Sequence, residues 1–211
     1  MFFDFEKLPT RERYKLIVST IVPRPVAWVV TQDADGINNA APYSFFNALT
    51  DDPVVIAIGC GPTPEGSKKD TLQNIRNTGQ FVVNLVSAEN AEQMNVTAIQ
   101  FPPEVDELKE AGLTATPSTL IKPPRILESP VALECETFQL IPVSHHTIVL
   151  GRVLAMHVRD DCVLDPAKNY IDTEKLNLVG RMHGRGWYAR TTDRIEIPRM
   201  SPEEWAAKKG K

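Results

Sequence analysis

The residues best suited to chemistry in this chain gather in two short stretches. In "GCGPTPEGSKKDT", residues 59–71, Gly, Ser, two Lys and Thr meet where a strand gives way to a helix starting near Lys69. A helix N-terminus presents free backbone N–H groups and partial positive charge, so Ser67, Lys68, Lys69, Asp70 and Thr71 make an anion site suited to a phosphate. The same residues also suit a solvated loop, with Ser67 or Asp70 capping the helix and the lysines facing water. The stretch is not a P-loop, because the Gly-x4-Gly-Lys-Ser/Thr spacing is absent. No Gly-x-Gly-x-x-Gly follows a strand, so a Rossmann site is not expected.

The second stretch, "NNAAPYSFFNALTDDP", spans residues 38–53. Small residues such as Ala40 and Ala41 let a backbone approach a planar ring, Ser44 and Asn47 can reach polar ring edges, and Tyr43, Phe45 or Phe46 can wall the ring. The alternative is that the two Phe are core residues at a strand end. A phosphate site one strand away from a ring site describes a ligand with an anionic tail and a flat head, the shape of flavin mononucleotide (FMN).

Other polar groups are scattered. His157 and His183 have no Cys or carboxylate at ligand spacing, and no metal is expected. The carboxylates of "EVDELKEAG" read as an exposed helix face and not as an acid/base pair. "RMHGRGWYAR" sets Arg181, Arg185, Tyr188 and Arg190 beside Gly184 and Gly186, a basic turn that is either solvated or near a ligand.

The elements that position these residues are mainly strands. Thr10 is placed to cap a short helix, "RERYKLIVS", ended by Pro23 and Pro25. "PVAWVVTQ" reads as a buried strand, and Asp35-Gly36 as the hairpin turn that returns the chain through "INNAAPYSFF". "PVVIAIGC" suits a strand covered on both faces. "KDTLQNIRNTG" has helical spacing with Gly79 as C-cap, "QFVVNLVS" is a strand, and "AENAEQMNVTAI" is a helix. Residues 102–130 are Pro-rich and irregular, an insertion or surface excursion. "VALECETFQLIPV" and "TIVLGRVLAMHVRD" resume the strands, and a charged tail from Asp193 is peripheral. No repeat or composition shift divides residues 1–211, so one mainly β barrel domain with peripheral helices is expected, its core at about 14–190.

Composition bounds the function. The 211 residues carry net charge −4 and are 42% hydrophobic. An acidic balance argues against a nucleic-acid partner. No window approaches the about 18 apolar residues of a membrane span, and the N-terminus lacks a signal-peptide pattern. Cys60, Cys135 and Cys162 are odd in number and widely spaced, which suits a reducing, cytoplasmic setting.

"IVPRPVAWVVTQDADGINNAAPYSFFNALTDDPVVIAIG", then "KDTLQNIRNTGQFVVNLVS" and, more loosely, "HHTIVLGRV" resemble the flavin reductase-like family of FMN-binding split barrels, over about Tyr14 to Tyr188. The resemblance implies a six-stranded Greek-key-like split barrel and a homodimer with FMN near the subunit interface. It implies an NAD(P)H:flavin oxidoreductase, with NADH or NADPH as co-substrate, and a partner monooxygenase as the recipient of reduced flavin. The alternative is a flavoredoxin-like electron carrier. Residue by residue, it assigns Asn39, Ala41, Pro42, Tyr43, Ser44, Phe46 and Asn47 to the ring and ribityl chain. Ser67, Lys69, Asp70 and Thr71 fall on the phosphate, with Lys68 as the alternative to Lys69. Arg24 and Thr31 flank the first strand as further candidates, Thr31 among the cofactor-binding set. His146, in a turn that only partly matches the family's, and Tyr188 are the candidates for substrate contact. No catalytic acid or base is needed, because the flavin carries the redox chemistry.

Overall fold

The structure, a computed structural model, describes residues 1–62, 70–184 and 186–209. Ser67, Lys68, Lys69 and Arg185 therefore lie outside the described residues. The chain opens with helix α1 (Thr10–Thr20), whose N-cap is Pro9 and not a Thr10 side chain. Thr10 is already helical, and Glu12 and Arg13 donate their N–H groups to the Pro9 carbonyl. Short strand β1 (Arg24–Pro25) precedes β2 (Ala27–Gln32), β3 (Asn38–Tyr43), β4 (Phe46–Asp51) and β5 (Val54–Cys60). Gly36 turns the β2–β3 hairpin at φ 85°, a conformation that favours glycine. Helix α2 (Asp70–Thr78) ends at Gly79, φ 70°, whose N–H caps the Ile75 carbonyl, and β6 (Gln80–Leu85) follows.

Helices α3 (Ala91–Val96) and α4 (Glu107–Glu110) and a small ladder of β7 (Ala115–Thr116) with β8 (Arg125–Ile126) lead to the long hairpin β9 (Val131–Val143) and β10 (His146–Val158). Two small ladders follow, β11 (Val163–Asp165) with β12 (Tyr170–Ile171), and β13 (Val179–Arg181) with β14 (Tyr188–Arg190), before the exposed tail with α5 (Pro202–Lys209).

Seven strands form one antiparallel sheet in the order β3-β2-β6-β9-β10-β5-β4. Its two end strands, β3 and β4, are joined by Ser44 and Phe45 alone. A link this short spans at most about 11 Å between Tyr43 and Phe46. The sheet must therefore curl until its edges meet, which makes the split barrel. The Pro-flanked run at 46–51 adds β4 as a seventh strand beyond the six implied by resemblance. Its side chains are mostly exposed, so it lacks the apolar pattern of a core strand.

Alternation decides which face each side chain takes. Ala27, Val29, Ile56, Ile58, Phe81, Val83, Leu133, Cys135 and Val149 fill the barrel. Phe81 reaches across it to β10, where a Cβ on Gly151 would lie 2.4 Å from the ring's Cζ, so only glycine fits. Trp28, Val30, Val82 and Ala132 point outward into a second core with Met94, Leu108, Leu113, Ile121 and Ile126. The irregular 102–130 segment is thus a covering layer over the sheet and not a surface excursion. Trp28 Nε1 donates to Thr97 Oγ1 at 2.9 Å, and the fully buried Glu134 carboxylate accepts from the N–H groups of Thr119 and Leu120, both at 2.7 Å. His157 meets Glu134 across the β9–β10 pair, a partner far from it in sequence.

Candidate functional site

Helix α2 is held against the barrel by its apolar stripe, Leu72 and Ile75, and by two amide–hydroxyl bonds that fix its N-terminal end. Asn39 Nδ2 on β3 donates to Thr71 Oγ1 at 2.8 Å, and Asn74 Nδ2 donates to Thr31 Oγ1 on β2 at 3.1 Å. The first-turn N–H groups at Asp70 and Thr71 therefore open beside the edge strand β3, at the end of the 59–71 stretch. Sequence reading did not single out Asn74, although an amide between Leu72 and Ile75 on a buried face carries that signal.

The ring stretch divides in two. Thr31 and Thr71 are almost fully buried, and Tyr43 packs among the barrel core residues. Burial pushes the Tyr43 phenol up, so it stays neutral across the physiological range, with the Thr71 hydroxyl beside it. Tyr43 is thus a floor of the site from beneath and not an exposed wall. Asn39, Ala41, Pro42, Ser44 and Phe46 are half-buried and Asn47 is exposed, so together they offer a surface of small and polar groups along an end strand whose edge is met at Ala40 by the Glu107 carboxylate of α4, which accepts the Ala40 N–H at 2.6 Å. Phe46 packs on the barrel core, whereas Phe45 is 41% exposed and meets the Tyr14 ring of α1 at 6.4 Å. Phe45 is the aromatic that remains open.

The strand joining the two stretches is β5. The Gly59 N–H donates to the Phe45 carbonyl at 2.7 Å, and a Cβ on Gly59 would lie 3.0 Å from Phe45 Cβ. At Gly61 the imidazole of His146 comes as close, 3.0 Å from Nε2 to where a Cβ would stand. His146 thus sits against the end of the 59–62 segment at Gly61, reached through the tight β9–β10 turn at Ser144, φ 53°.

Arg24 organises the opposite side of the Ser44–Phe45 corner. Its guanidinium donates to the carbonyls of Val18 and Ile21 at the end of α1 and of Met182 before β14, and its Nε lies 3.4 Å from Ser44 Oγ. Burial lowers its pKa, opposed by Tyr14 and reinforced by the neighbouring Arg181. Tyr188 lies two strands away on the same small sheet, under the Arg181 guanidinium at 4.7 Å. Helix α1, the corner, and the β13–β14 hairpin thus converge on one mouth of the barrel.

The residues fit a flavin phosphate: small side chains along an end strand, hydroxyl and amide groups at both ends, and a helix N-terminus at one of them. No group of three or more His, Cys, Asp or Glu among the described residues could hold a metal ion. No helix among them is long and apolar enough to cross a membrane.

A family model described as flavin reductase-like domain matches residues 19–175. The chain belongs to the flavin reductase-like family. It is similar to the crystal structure of Pseudomonas fluorescens 2-nitrobenzoate 2-nitroreductase, 33% identical with a TM-score of 0.86, covering 96% of this chain and 98% of the other. It is also similar to nitrilotriacetate monooxygenase component B from Bacillus cereus, 30% identical with a TM-score of 0.87, over 93% of this chain and 98% of that one. A split-barrel structure from Shewanella frigidimarina, 23% identical with a TM-score of 0.80 over 95% and 100%, shares the fold.

Proposed function

We propose that this member of the flavin reductase-like family binds FMN along β3 and the α2 N-terminus and is reduced there by NADH or NADPH. The observation that carries the reading is the bolted junction of Asn39 with Thr71 and of Asn74 with Thr31, which sets a helix N-terminus beside a small-residue end strand of the sheet. Asp70 and Thr71, with Ser67 and Lys68 or Lys69 just before them in sequence, hold the phosphate. Asn39, Ala41, Pro42, Ser44, Phe46 and Asn47 face the ribityl chain and ring, whereas Thr31 and Tyr43 act from beneath by seating α2. When bound, the flavin supplies hydride acceptance and release, so the chain contributes no acid or base. Its residues orient the ring, and Phe45 at the corner offers an exposed aromatic side chain to a second planar group.

Two likenesses support a redox role: the 2-nitroreductase and the monooxygenase component B are each about as similar to this chain as to be counted close relatives in fold and sequence. Component B is named as one part of a monooxygenase, which supports a partner monooxygenase that receives reduced flavin. A homodimer is supported by two large apolar side chains left open at strand bulges, Leu49 on β4 and Phe138 on β9, 55% and 56% exposed. We place the protein in the cytoplasm, on its three unbridged and buried cysteines.

Purified protein loaded with FMN and mixed anaerobically with NADH or NADPH tests the reading. Bleaching of the oxidised flavin band by one nucleotide supports it. Bound flavin that neither reduces points instead to a flavoredoxin-like carrier.

A further inference from the structure

The three-stranded sheet at the barrel mouth carries a charge arrangement that its own residues leave unanswered. Arg24 on β1 stands directly opposite Arg181 on β13, and Arg181 stands opposite Tyr188 on β14, so the three side chains form one row across the sheet. Arg190 lies on the same face, two residues beyond Tyr188. Like charges directly opposite each other on a sheet face are destabilising. Yet among the described residues neither Arg24, Arg181 nor Arg190 has a carboxylate within ion-pair distance, in a chain whose acids outnumber its bases.

The guanidiniums differ in what they have left to give. Arg24 is buried and spends its N–H groups on three carbonyls and on Ser44, which makes it the anchor of the row. Arg181 is half-buried, sits over the Tyr188 ring at 4.7 Å, and donates to no acceptor among the described residues. Its planar fork is thereby held in place with its donors free, the arrangement that suits bidentate binding of a phosphate. At the tip of the same hairpin His183 and Trp187 pair at 5.9 Å, and Trp187 is 61% exposed, so a flat aromatic surface stands beside the cations. The Met182 carbonyl, bonded to Arg24 at 2.8 Å, ties this tip to the Ser44 corner.

We infer that the row led by Arg181 binds the pyrophosphate of the nicotinamide dinucleotide, with Trp187 and His183 against its adenine. The inference rests on the reductase reading above and adds the element that recognises the co-substrate. Neighbouring strands lie about 4.8 Å apart, so Arg181 is one strand and Tyr188 two strands from Arg24 and the Ser44 corner. The nucleotide thus enters over the β13–β14 hairpin, its phosphates held while its nicotinamide reaches the ring stretch. Gly180 lets β13 pack closely on β1, since a Cβ there would lie 2.6 Å from Pro23 Cβ and push the strands apart.

The test is calorimetric titration of FMN-saturated protein with ADP, with adenosine and inorganic pyrophosphate as probes of each half. ADP is expected to bind saturably, less tightly as salt is raised, and more tightly than pyrophosphate or adenosine. Arg181→Gln is expected to weaken ADP about 10- to 100-fold with FMN affinity unchanged, and Arg181→Lys to recover only part of the loss. In turnover, R181Q raises the KM for the nucleotide while kcat at saturation is largely kept. ADP that does not bind, or binds R181Q as well as the parent, overturns the inference. Pyrophosphate binding as tightly as ADP overturns the nucleotide assignment and leaves an anion site only. If ADP binds through Arg181 while neither nucleotide reduces the flavin, the reductase reading fails and the site stands. If reduction is fast and R181Q keeps the parent KM, the reading stands and the site falls.

Discussion

Replacing Glu134 by Gln tests how the covering layer is held to the barrel. The carboxylate is fully buried on β9, accepts the N–H groups of Thr119 and Leu120 at 2.7 Å each, and meets His157 of β10. Burial alone raises its pKa, but the two backbone N–H groups and His157 outweigh it, so the folded value lies below the ordinary one. In Glu134→Gln one oxygen still accepts, while the new amide donor faces a backbone donor and the charge is gone. One lost charged hydrogen bond plus one buried unsatisfied group costs about 3 kcal/mol. In a domain of this size that is a fall in Tm of about 6–12 °C. The sign of the pH effect follows from the depressed pKa. Stabilisation by Glu134 is complete above its unfolded value, about 4.3, and is lost as pH falls through the folded value. The Tm gap between parent and E134Q is therefore wide at neutral pH and narrows in acid, with FMN affinity unchanged. Calorimetry or circular dichroism at several pH values measures it. A Tm at neutral pH within about 2 °C of the parent refutes the latch.

Gly151→Ala drives a methyl into the Phe81 ring and is expected to cost about 1–3 kcal/mol, read as an earlier urea midpoint, with Gly151→Ala/Phe81→Leu recovering part of it. Asn39→Ala and Thr71→Val each remove one side of the bond that sets the α2 N-terminus, and FMN affinity by fluorescence titration is expected to fall about tenfold. An affinity equal to the parent's in both contradicts the site. Leu49→Asp and Phe138→Asp put charges at the two exposed apolar bulges; light scattering is expected to show dimer in the parent and monomer in the double variant.

Local signals that rest on the backbone were legible. Asp35-Gly36 gave the first hairpin, Gly79 the end of α2, and the apolar runs at 131–143 and 147–160 the two long strands, which the structure draws as Val131–Val143 and His146–Val158. What depends on remote partners was not. Ile121 and Ile126 sit in Pro-rich sequence without periodicity, and only the outer face of the sheet gives them a place to be buried. Strand β4 shows mostly exposed side chains and pairs only along one edge, so nothing apolar marks it. The short ladders β11–β12 and β13–β14 are held by two or three residues each, too few for any alternation to register. In the site, the small-residue stretch and the helix N-terminus were readable as types. The seating of Tyr43 inside the barrel was not, because a Tyr at a strand end looks the same whether its ring faces in or out.

The central claim is that the Asn39–Thr71 edge holds FMN in reach of a nicotinamide. Anaerobic stopped-flow mixing of the FMN-loaded protein with NADH and with NADPH, following oxidised flavin absorbance, tests it most directly. The account predicts stoichiometric FMN binding and rapid bleaching by one of the two nucleotides. Protein that does not retain FMN, or retained FMN that neither nucleotide bleaches, contradicts it.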